Sequence, residues 1–150
     1  MYIIQTEGES LHNSEDYTLY VEENQIISFV FLRNHDDVME QWYAFMQQQT
    51  QQVYESPGYL LLLTDMQRLD VLPVAHIIQR IKEQLRQSAH PHTARHALIV
   101  PADTNIDVME NMFKTLPDKA DIKFALFLPD EADDARAWLQ SERQVIHSSQ

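Results

Sequence analysis

Cysteine is absent from the chain, and glycine occurs only as Gly8 and Gly58. The first absence excludes a disulfide framework, a thiolate nucleophile and cysteine-ligated zinc or iron–sulfur centres. The second excludes a Walker loop, a dinucleotide fingerprint and a G-x-S-x-G nucleophile turn, each of which needs clustered glycines. Basic residues are scarce as well. Eleven Lys and Arg face 23 Asp and Glu, a formal charge of −12, and residues 1–75 hold two basic side chains against twelve acidic ones. No basic stripe is available to follow a phosphate backbone, so nucleic acid is not an expected partner. A partner drawn electrostatically to the N-terminal half would present a basic surface.

Long apolar runs are also missing. Tyr59 to Leu63 is the longest obvious one, far short of the ~20 residues of a membrane-spanning helix. The opening residues have neither the basic stretch nor the apolar core of a secretory leader. The expectation is a cytoplasmic protein without membrane insertion.

What is present reads as one α/β domain. The 150 residues, 44% hydrophobic and 23% charged, suit a single globular core. Tyr17, Leu19 and Val21 alternate with polar neighbours, as in a half-exposed strand, and Ile26–Leu32 completes a hairpin. A helix follows from Asp37 to Tyr54, with Val38, Trp42, Phe45, Met46 and Val53 on one face and Asp37-x-x-Glu40 at its start. Three strand–helix units come next: Tyr59–Leu63, then a helix opened by Pro73; Ala97–Val100, then a helix capped by Thr104 or Asn105; Phe124–Leu128, then a helix from Glu131 to Gln140. The order β-β-α-β-α-β-α-β-α predicts a mainly parallel sheet behind an N-terminal antiparallel hairpin. Residues 1–16 read as an arm or extra edge strand, 17–141 as the domain, and 142–150 as a tail.

This order, together with Gly58-Tyr59-Leu60-Leu61-Leu62-Leu63-Thr64-Asp65 and the closing stretch Phe127-Leu128-Pro129-Asp130-Glu131-Ala132 with Ala135-Arg136-Ala137-Trp138-Leu139, resembles the STAS-like or SpoIIAA-like βα superhelix of anti-anti-sigma factors. The resemblance implies a non-enzymatic regulatory module that binds a protein and has no cofactor. It also implies a contact region at the helix start after the central strand, Met66 to His76, with Arg68, Asp70, Val71 and His76 as the residues that would meet the partner. The family's D-S-S-G-like phosphorylated turn is replaced here by Asp70-Val71-Leu72-Pro73. Hydroxyls and glycine are both missing, so the phosphoswitch does not carry over. Asp70 would instead place a fixed negative charge near a helix N-terminus. Self-association as a homodimer is a further expectation.

Other chemistry competes less well. Asp36, Asp37 and Asp65, with Asp103, Asp130 and Glu131, fall near the carboxyl ends of the strands, where open α/β sheets place ligands. They could hold Mg²⁺ for phosphoryl transfer. Yet acids at these positions are also what helix N-termini prefer, and Leu128-Pro129 stands where a receiver-like site needs lysine. Asp36, Asp37 and Asp65 therefore remain weak metal candidates. His90, His92 and His96 could supply imidazole ligands, but they bridge a helix end and a strand start and need not converge. His35 is the one histidine placed for acid–base work. His76 falls opposite the apolar stripe of its helix and should be exposed. Carriage of a lipid-like or small apolar ligand, as in lipid carriers with a related βα superhelix, is the remaining alternative.

Overall fold

A computed structural model describes residues 10–13, 15–22, 25–33, 36–52, 58–87, 93–116 and 121–148. Among them, strands β1 (Ser10–Asn13), β2 (Tyr17–Val21), β3 (Ile27–Phe31), β4 (Tyr59–Asp65), β5 (Thr93–Ile99) and β6 (Asp121–Phe127) form one six-stranded sheet in the order 1-2-3-4-5-6. The pairs β1–β2 and β2–β3 are antiparallel, and the pairs from β3 to β6 are parallel. Helices α1 (Asp36–Gln52), α2 (Val74–Gln87) and α3 (Ile106–Phe113) make the parallel crossovers, and α4 (Ala132–Ser148) follows the last strand. Gly58 precedes β4 with φ of +90°, a conformation that side chains strain to adopt.

Strand order decides where the helices lie. Right-handed crossovers between neighbours that always step in one direction put every connecting helix on the same face. Val38, Trp42 and Phe45 of α1, Ile77, Ile81 and Leu85 of α2 and Met109 of α3 accordingly pack with Phe29, Leu60, Leu62 and Leu98 in one core. Helix α4, which makes no crossover between the described strands, lies across the other face. There Ala135, Leu139 and Ile146 cover Tyr59, Leu61, Leu63, Ala97 and Ile99. Coverage on both sides explains why β4 reads as an unbroken apolar run.

Three boundaries differ from the sequence reading by three residues or more. The tail expected at 142–150 is helical as far as Ser148, and Ile146 is buried. β5 begins at Thr93 rather than Ala97, with Arg95 and His96 both inside it and both buried. β6 begins at Asp121 rather than Phe124. Polar side chains obscured all three. Arg95 is neutralised by Glu142 at 2.8 Å and Asp121 at 3.0 Å, so it sits in a strand that composition alone would end. No helix among the described residues is long and apolar enough to cross a membrane.

Candidate functional site

Two loops at the carboxyl ends of β4 and β5 build the site. The first is anchored from below. Met66 donates its backbone N–H to Ile99 O at 2.7 Å, Leu69 closes a turn onto Met66 O at 3.0 Å, and both side chains are buried. Asp65 steadies the turn by accepting from Gln67 N at 3.1 Å and Gln67 Nε2 at 2.7 Å. Val74 N bonds Leu72 O at 2.8 Å, and helix α2 then opens after Pro73. Held at both ends, the loop pushes Val71 outward, where 72% of it is exposed.

The second loop starts at buried Pro101, where Thr104 N bonds Pro101 O at 3.0 Å. Asn105 caps α3 by accepting from Val108 N at 3.2 Å, one of the two caps expected from sequence. Between the loops lies a groove of about 380 Å³. Leu72, Val74, Val108 and Met112 supply its apolar lining, and Asp70 and Asp103 its acidic side chains.

Of the residues singled out by sequence, Asp70 and Val71 line this groove, and Arg68 and His76 do not. Arg68 is exposed on the preceding turn. His76 is exposed as expected, but its Nδ1 lies 3.2 Å from the buried Tyr43 hydroxyl. Tyr43 also carries the Arg80 guanidinium 4.4 Å above its ring and gives its carbonyl to Gln84 Nε2 at 3.0 Å. Burial, with Glu40 nearby, pushes the Tyr43 phenol up to about 12, although Arg80 opposes the shift. His76 and Tyr43 thus join α2 to α1 rather than reach into the groove.

Asp37 is exposed at the start of α1 and Asp65 ends β4; the Asp36 side chain, His35, His90 and His92 lie outside the described residues. Among the described residues no three His, Asp or Glu side chains come together as metal ligands. His96, read as a possible ligand, instead sits inside the core. Trp42 Nε1 donates to Thr64 Oγ1 at 3.1 Å, and Thr64 Oγ1 is 2.7 Å from His96 Nε2. With Thr64 donating to Nε2, the hydrogen bonds run in one direction and the imidazole is neutral. Burial lowers the His96 pKa to about 3, which keeps it so. Sequence reasoning missed this trio because its members come from α1, β4 and β5. The signal available was Thr64, polar within an apolar strand; the register sets His96 opposite Leu62, two residues before Thr64 on the same strand face.

Comparison with known proteins adds nothing to the geometry: no family model, curated protein or solved structure matches the chain.

Proposed function

We propose that this protein is a STAS-like, non-enzymatic module that binds another protein through the groove between the β4–α2 loop and α3. One observation carries the reading. Val71 is held in solvent by a loop whose neighbours Met66 and Leu69 are buried, beside an apolar lining and two carboxylates. An exposed aliphatic side chain on a pinned loop costs little conformational entropy when it is covered, which favours binding. The acidic residues Asp70 and Asp103 select a partner segment that sets basic side chains around an apolar anchor. Without a hydroxyl at Val71 or Leu72, the surface is constitutive rather than phosphorylation-gated.

The test is a photo-reactive residue at position 71, with partners identified by mass spectrometry from the native cells, compared with Asp70→Arg and Val71→Asp chains. A recurrent protein that cross-links to position 71 and is lost at least ~10-fold in both variants supports the reading. A recurrent partner indifferent to both, or a bound apolar molecule in non-denaturing mass spectrometry with no protein partner, replaces it.

A further inference from the structure

Among the described residues, strand β6 pairs only with β5 and ends the sheet. The orientation of its backbone follows from one bond. Val100 N donates to Phe127 O at 2.9 Å, so Phe127 faces β5, and Arg95 Nη1 reaches Asp121 O from the same side at 2.9 Å. Backbone groups alternate along a strand, so Ile122, Phe124 and Leu126 turn their N–H and C=O groups to the open edge. Natural edges are usually blunted by proline, charge or a covering segment. Here the residues whose backbone groups face outward are all apolar and the strand contains no proline; its two charges, Asp121 and Lys123, lie in its first half and are paired with Arg95 and Glu142.

A second groove, of about 490 Å³, runs beside this edge. Phe113, Ile122, Phe124 and Leu126 line it, with exposed Glu110 and Lys114 from α3. Glu110 and Lys114 are one helical turn apart, on the flank of α3 opposite Val108 and Met112. A two-fold axis through this edge would set α3 antiparallel to its copy, with each Glu110 facing the Lys114 of the other chain. The charge pattern is self-complementary in the way an isologous contact requires.

We infer that the β6 edge and the flank of α3 beside it form a homodimer interface, in which β6 pairs antiparallel with β6 of a second copy. The two-fold passes through Phe124, so Ile122 lies opposite Leu126 of the second copy and all three outward residues find backbone partners. Lys123 then faces Ala125 of the second copy, and no like charges oppose across the strands. Phe124 packs against its own counterpart beneath the paired α3 helices.

The test is sedimentation equilibrium of the full chain and of three variants: Glu110→Lys, Lys114→Glu and the double exchange. Both positions are exposed, so folding is preserved, as circular dichroism will verify. The wild type should dimerise, and each single reversal should weaken the dimer by at least ~10-fold by creating two like-charge contacts. The double exchange should restore wild-type affinity. A wild-type monomer at high micromolar concentration overturns the inference. So does a dimer unaffected by the single reversals, or a double exchange that fails to recover.

Discussion

His96 shows what burial does to a single titratable residue. It is 3% exposed, lies 5.3 Å from the Phe124 ring and 6.0 Å from that of Trp42, and is held neutral with its pKa lowered to about 3. In the unfolded chain the same imidazole titrates near 6.5. Above that pH both states are neutral and His96 adds no pH dependence. As pH falls below it, the unfolded chain takes up a proton that the folded chain refuses, so stability is lost down to about pH 3. The slope from this residue approaches about 1.4 kcal/mol per pH unit. Urea unfolding between about pH 7.5 and 5 should therefore show the wild type losing more stability than His96→Gln, which keeps the reach toward Thr64 without the titration. Equal losses in the two chains would mean that His96 ionises within the fold. None of this was legible at position 96 alone. A histidine between arginine and alanine reads as a possible metal ligand at a strand start until the parallel register sets it beside Leu62 and Thr64.

Helix α4 carries the corresponding lesson at the level of an element. Its start was readable: Pro129 opens a single turn, Glu131 Oε1 accepts Leu128 N at 2.8 Å, and Trp138-Leu139 mark the apolar side. Its last turns were not, because Ser141, Glu142, Arg143 and Gln144 hide the spacing from Leu139 to Ile146. What holds them is tertiary. Glu142 meets Arg95 at 2.8 Å and Lys123 at 3.5 Å, and Tyr59 Oη lies 3.0 Å from His147 Nε2. Arg95 is 2% exposed, so losing Glu142 leaves a buried guanidinium with Asp121 as its remaining carboxylate. Glu142→Ala should cost about 3 kcal/mol. Ending the chain at Ser141 should cost more, because Ile146 is lost as well. Denaturant midpoints measure both, and a truncated chain as stable as the intact one would show residues 142–148 to be dispensable.

For the molecule as a whole, α3 separates two surfaces. One flank, with Val108 and Met112, belongs to the groove beside Val71; the other, with Glu110, Phe113 and Lys114, belongs to the β6 edge. If each surface serves the role proposed for it, the two should be independently removable. Asp70→Arg should abolish partner capture and leave the sedimentation coefficient unchanged, and Glu110→Lys should do the reverse. Sedimentation velocity alongside capture of the cross-linked partner checks this, and loss of both properties in either variant would point to one shared surface. The sequence by itself determined the α/β class, the succession of strands and helices from β2 onward and a cap at Thr104 or Asn105, because these follow from local periodicity and from the chain's own backbone donors. It also located the Asp70–Val71 loop, since a helix opened by proline leaves the residues before it outside regular structure. Only the tertiary structure decided that His96 and Arg95 are core residues, that 142–148 is helix and that β6 is an open edge. Each of these depends on which distant side chains come to lie opposite, and no local pattern encodes that pairing.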